Sequence, residues 1–172
     1  MMRFGRRPGE KGFTLIEMML SLALTSLIGL GVSVSIAQIT RQTAVNSNYT
    51  AASQQAMNAV SWIGEDIQMA QTVDGTAGFP DSDDLVLTWT WWNNTEFSST
   101  YSLQDGVLRR TYNDGASSVT TVIANYVSED PDLTYCTSDN NSYKISITIG
   151  IGSGQDAVQV TRARNVAARP HL

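Results

Sequence analysis

Residues 11–37 read KGFTLIEMMLSLALTSLIGLGVSVSIA, and the rest of the chain is best understood outward from them. Lys11 is the last positive charge before an apolar run and Glu17 the last charge of either sign. From Met18 to Ala37 there are 20 residues with none. At about 1.5 Å of rise per helical residue, such a run covers roughly 30 Å, the thickness of a bilayer's hydrocarbon core. A secretory signal peptide needs an apolar core about half as long, followed by small residues at a cleavage site. The run therefore predicts a retained membrane helix.

Charge on either side of the run agrees. Residues 1–12 carry Arg3, Arg6, Arg7 and Lys11 against Glu10, a net of +3, whereas the other 160 residues hold 7 Lys/Arg and 15 Asp/Glu, a net of −8. A basic stub before a membrane helix predicts that the stub stays in the cytoplasm and the acidic body is carried across. In the 172-residue chain 42% of residues are apolar and only 16% charged, which fits one domain with an apolar appendage and leaves no room for a two-domain enzyme. A single cysteine, Cys136, excludes an internal disulfide and a Cys-rich zinc site, and the single histidine, His171, weighs against histidine-based catalysis or metal binding.

The boundary segment Lys11-Gly12-Phe13-Thr14-Leu15-Ile16-Glu17-Met18 resembles the class III leader of the type IV pilin superfamily, a short basic segment ending in Gly and then Phe-Thr-Leu-Ile-Glu. The resemblance covers residues 6–37. It implies cleavage after Gly12 by the membrane-embedded prepilin peptidase and N-methylation of the new terminus at Phe13. It also implies that Glu17 pairs with the Phe13 amine of a neighbouring subunit, and physics supplies the motive. An ionised carboxylate one turn inside a membrane helix is costly unless it has a partner. Thr14-Leu15-Ile16-Glu17 equally fits a capping box, in which Glu bonds back to the start of its own helix.

Helical spacing continues past the membrane run through Ile39, Tyr49, Met57, Val60, Ile63 and Ile67, with Ala52, Ala56 and Ala70 between them. Turn residues from Val73 to Gly78 and then Pro80 end it. The expected organisation is a leader at 1–12, a transmembrane or filament-core helix at 13–37, an amphipathic continuation at 38–72 and an antiparallel β head at 73–172. The helix, about 90 Å long over 13–71 at the standard rise, suits a stalk under a head. Gly29 and Gly31 are its only weak points and read as close packing in the membrane.

In the head, Leu85–Trp92 alternates with Leu85, Leu87, Trp89 and Trp91 on one face. Asp105-Gly106 predicts a hairpin between Phe97–Leu103 and Val107–Tyr112, and Asn113-Asp114-Gly115 a turn into Val119–Ala124. Tyr143–Ile151 keeps Tyr143, Ile145, Ile147, Ile149 and Ile151 in phase, and Gly152-Ser153-Gly154 leads into Ala157–Ala163. Five to seven antiparallel strands on a helix make an α+β head. The stretch Tyr101-x-Leu103…Gly106-x-Leu108-x-Arg110 resembles a hairpin of J-type minor pseudopilins and PilW-like minor pilins, with Ile123–Val127 as the strand after it. A lone Cys136 cannot close the C-terminal disulfide loop of many major pilins, and no segment matches the calcium loop of major pseudopilins. Both departures favour a minor subunit.

The remaining features carry bland readings. The Trp89/Trp91/Trp92 cluster is read as sheet core plus one exposed edge rather than a base-stacking surface, because a −8 body repels phosphate. Trp92, on the opposite face, is the candidate subunit contact. Gly150-x-Gly152-x-Gly154 is a hairpin, and Asp81–Asp84 and Ser138–Asn141 are solvated loops rather than calcium sites. The Asn-x-Ser/Thr triplets at Asn48, Asn93 and Asn140 are chance, and Arg162, Arg164 and Arg169 form a solvated basic tail. The expected function is a minor pseudopilin or minor pilin of a type II secretion or type IV pilus filament, with no active site, metal or cofactor. Its partners would be prepilin peptidase, other pilin subunits and the inner membrane, with nucleic acid disfavoured. The rivals are a membrane-anchored extracytoplasmic binding module and a DNA-uptake minor pilin.

Overall fold

The computed structural model describes residues 13–140 and 142–169. It is an α+β chain in which one helix, α1 (Leu15–Met69), precedes eight strands. These are β1 (Thr72–Asp74), β2 (Leu85–Thr90), β3 (Glu96–Gln104), β4 (Val107–Asn113), β5 (Ser118–Ala124), β6 (Tyr135–Asp139), β7 (Ser142–Ile151) and β8 (Val158–Ala167). All pairings are antiparallel. The chain divides into two compact units after Thr43.

In the first unit α1 is long and apolar enough to cross a membrane. Its five hydroxyl side chains between Met18 and Ala37 each donate to a carbonyl one turn back: Ser21 to Met18, Thr25 to Ser21, Ser26 to Leu22, Ser33 to Gly29 and Ser35 to Gly31, at 2.7–2.9 Å. In water this back-bonding offers little; in hydrocarbon it disposes of five donors that would otherwise be desolvated without partners. The helix continues through Gly29 and Gly31, around which a Cβ would meet nothing.

The second unit is built on the remainder of α1. Ala52, Ala56, Ala59, Val60, Ile63 and Ile67 recur at three- and four-residue steps and are buried, so the helix presents a narrow, mostly small-residue stripe to the sheets. Tyr49 and Met57, expected on that stripe, lie off it and are exposed. The helix gives way to strand earlier than expected. Ala70 makes the last helical bond, to Asp66 O, and Gln71 N already donates to Thr88 O. Thr72–Asp74 then forms β1 where the sequence suggested only a turn.

The eight strands form two sheets. One is a five-stranded meander, β1-β2-β3-β4-β5, and the other a three-stranded meander, β6-β7-β8. The Asp105-Gly106 hairpin forms as read, with Gln104 opposite Val107 and both turn residues at positive φ (52° and 70°). The segment after β5 stitches the sheets together. Asn125 N donates to Gln55 Oε1, Val127 N to Gly106 O, and Ser128 N to Thr148 O, while Gly150 N donates to Tyr126 O.

That stitch explains a burial pattern the alternation in β7 did not forecast. Ile145, Ile147 and Ile149 face the core as expected, but Ser146 and Thr148 are buried too. The loop 129–134 folds over them, and both hydroxyls donate to Leu133 O. Strand β6 was missed because Tyr135–Asp139 (YCTSD) has one buried apolar side chain, Cys136, and no alternation to read. Ser138 and Asp139, expected in a loop, pair with Tyr143 and Ser142 in the β6–β7 hairpin, and Asn141 of that expected loop lies outside the described residues.

Burial pushes the Cys136 thiol up to about 12 from an ordinary value of 9.0. Below pH 9 folded and unfolded chains both keep the proton, so this contribution to stability is complete. Above pH 9 the unfolded thiol ionises first, and stability is lost progressively until the folded value is passed. The buried Tyr101 hydroxyl, also shifted upward by desolvation, acts in the same direction. The head is therefore expected to lose stability between pH 9 and 12. Cys136→Ala should make denaturation midpoints measured across that window fall less steeply, whatever its offset at neutral pH.

Candidate functional site

Residues at the start of α1 form the site the sequence singled out. Gly12 lies outside the described residues, and Phe13 is the first residue of the described chain, extended and 84% exposed. Thr14 precedes the first helical residue and its side chain caps the helix. Its Oγ1 accepts from Glu17 N at 3.3 Å and donates to Glu17 Oε2 at 2.9 Å. Glu17 Oε2 accepts from Thr14 N at 2.9 Å, completing a capping box. In the isolated chain Glu17 thus holds its own helix end. Both protein donors fall on Oε2, and Oε1 has no protein donor in any hydrogen bond seen at this site.

A carboxylate with one oxygen engaged by neutral donors still carries its whole charge. At the first turn the helix macrodipole favours that charge modestly. It does not replace a counter-ion if the turn enters lipid. Chemically the arrangement can accept a hydrogen bond and an ion pair from a cation brought by another molecule, and no cation among the described residues pairs with Glu17.

The head contains a second arrangement that the sequence reading overlooked. Asp66, on the buried stripe of α1, is only 2% exposed. Arg110 of β4 grips it through both arms, Nε to Oδ2 at 2.6 Å and Nη2 to Oδ1 at 3.0 Å, and the Tyr101 hydroxyl of β3 donates to Oδ2 at 2.7 Å. The guanidinium lies between the rings of Trp62 and Tyr112, 5.1 Å from each centroid. Tyr101 and Arg110 are directly opposite in the β3–β4 register, which puts both on the face toward the helix. Desolvation and the adjacent Asp66 carboxylate push the Tyr101 hydroxyl upward, so it stays a neutral donor. Although desolvation alone would lower it, the Arg110 guanidinium is held above its ordinary value by Asp66. A carboxylate, a guanidinium and a phenol that satisfy one another are a structural latch.

The other candidates fall as follows. Trp92, at 86% exposed, and Trp91, at 54%, both sit in the β2–β3 turn, so Trp91 is not the sheet-core residue expected; β2 ends at Thr90 before the alternation reaches it. Trp89 does face inward and stacks on Phe97, ring centroids 6.2 Å apart. Asp81, Asp83 and Asp84 are exposed. Arg162 and Arg164 belong to β8 rather than to a tail, and Arg162 Nη2 donates to Ser53 Oγ at 2.9 Å. Gly152 and Gly154, both at positive φ, make the β7–β8 connection.

Residues 7–33 match the model of the prokaryotic N-terminal methylation motif. No curated protein and no solved structure matches the chain. The motif supports a pilin-like structural subunit that is processed by prepilin peptidase and assembles with other pilins, and the apolar helix supports its attachment to a membrane.

Proposed function

We propose that this chain is a minor pilin or minor pseudopilin, a structural subunit of a type IV pilus or type II secretion filament, cut after Gly12 and methylated on Phe13. The observation that carries the reading is the methylation motif over residues 7–33 lying across the start of a helix that is long and apolar enough to cross a membrane. The leader then stays in the cytoplasm and the β head is extracytoplasmic, on a single pass of the inner membrane. Glu17 is the assembly residue. Trp92 is a contact with a neighbouring subunit, since an indole this exposed on a turn gains by being covered. The minor assignment rests on the Tyr101-x-Leu103…Gly106-x-Leu108-x-Arg110 hairpin and on the absence of a second cysteine.

Processing is the direct test. Co-expressed with prepilin peptidase, the chain should lose its leader and gain a mature N-terminus at methylated Phe13, read by mass spectrometry. Gly12→Val should leave the intact chain in the membrane with no mobility shift. A mature terminus elsewhere, or none, would remove the reading.

A further inference from the structure

A shallow groove of about 330 Å³ runs between α1 and β8, lined by Met57, Val60, Ser61, Arg162, Ala163 and Arg164. Its floor is apolar and its cations are held in place. Arg162 is fixed by Ser53 Oγ at 2.9 Å. Arg164 lies on the helix over Gly64, where any Cβ would stand 3.1 Å from its Nη1 and 3.4 Å from its Cδ. Ser53 and Gly64 are eleven residues apart on α1, so the two side chains reach toward opposite ends of the groove. Arg164 has no acidic partner among the described residues.

Two arginines presented this way are conspicuous on a body, residues 13–172, whose net charge is −8. Two such bodies repel in most orientations, and an orientation that sets these cations against carboxylates is selected by charge. The same head offers a matching projection. Glu129-Asp130-Pro131-Asp132 is an exposed turn with three carboxylates around one proline. It is braced by Asp132 N donating to Asp130 Oδ1 at 3.0 Å and by Leu133 N and Thr134 N donating to Asp130 O. Its far side shares a concave patch with Asp81 and Asp105.

We infer that the Arg162/Arg164 groove receives the Glu129–Asp132 turn of a second copy of this chain. Pro131 meets the apolar floor and the flanking carboxylates meet the guanidinium groups. The donor and acceptor surfaces differ, so the contact between two neighbouring copies is heterologous. Its biological use rests on the assembly reading above; the contact itself does not depend on cleavage.

Two differently tagged full-length chains, one with Ala163→Cys and the other with Pro131→Cys, are expressed in one membrane and oxidised. Neither change alters charge, and native Cys136 is buried. The mixed dimer should form at least about tenfold more readily than with Ser118→Cys, an exposed position at the start of β5, in place of Pro131→Cys. Arg164→Glu should reduce it by about tenfold, the usual direction for like charges brought together, and Asp132→Arg in the other copy should restore it. Equal cross-linking by the Ser118→Cys and Pro131→Cys chains, no response to Arg164→Glu, or capture of a different protein would overturn the contact. Mapping the N-terminus in the same samples separates the two ideas. Normal processing without the cross-link removes only this inference, whereas a cross-link without processing removes only the assembly reading.

Discussion

Replacing Asp66 with alanine is expected to destabilise the head by about 3 kcal/mol, near the lower end of the cost of breaking a buried ion pair. The lower end applies because the Arg110 side chain keeps 14% exposure and recovers some hydration, while Asp66 keeps 2%. The substitution removes the acceptor of three hydrogen bonds and strands Tyr101 and Arg110 together. Against a typical total of about 5–15 kcal/mol, that loss is large enough to raise protease sensitivity at ambient temperature. Tryptophan fluorescence of the full chain in detergent during urea titration would measure it, with Trp62 and Trp89 reporting near the latch. Asp66→Leu combined with Arg110→Met should recover most of the loss, because the expense lies in the abandoned charge. If Asp66→Ala shifts the transition by less than about 1 kcal/mol, Asp66 is a surface-like ion pair and the latch has been misread.

The latch also shows where the sequence could be read and where it could not. Tyr101, Leu103, Leu108 and Arg110 all stand in a hairpin whose Asp-Gly turn and alternation were plain, and Leu103 and Leu108 are buried as that alternation requires. What linear periodicity cannot show is which helical residue lies opposite Arg110. Asp66 sits 44 positions away and interrupts an apolar stripe, so helical spacing gave no reason to single it out. One signal was available: an Asp among Val60, Ile63 and Ile67 must be paired if that face is buried, and the sheet had an arginine on its inward register. Strand β6 and the cover over β7 were illegible for another reason. β6 is mostly exposed and carries no alternation, and the burial of Ser146 and Thr148 in β7 depends on a loop folding back, which leaves no period behind. The apolar first half of α1 was legible throughout, since an uncharged run of 20 residues, long enough to cross a membrane, needs no tertiary contact to be read as helix.

Glu17→Gln should abolish incorporation into a filament while leaving membrane insertion, leader removal and the head unaffected. The glutamine distinguishes the two roles this side chain can play. Its amide oxygen can still accept from Thr14 N and Thr14 Oγ1, so the capping box seen in the isolated chain survives. What disappears is the negative charge. If the function of Glu17 is to meet the cationic terminus freed at Phe13 of the neighbouring copy, neutralising it strands that ammonium in a lipid-like setting. The penalty for an unpaired charge at membrane depth, about 2.5–3.5 kcal/mol on insertion scales, corresponds to a roughly hundredfold loss of incorporation. Exchange of partners costs the subunit little, because Oε2 can stay on Thr14 while Oε1 turns to the incoming amine. Glu17→Asp should be intermediate, keeping the charge but shortening its reach across the subunit boundary. Filaments sheared from cells, with the tagged chain quantified in polymer and membrane fractions, would decide it. Normal incorporation of Glu17→Gln would make Glu17 only a helix cap, and the chain would then be better described as an anchored extracytoplasmic domain that does not polymerise.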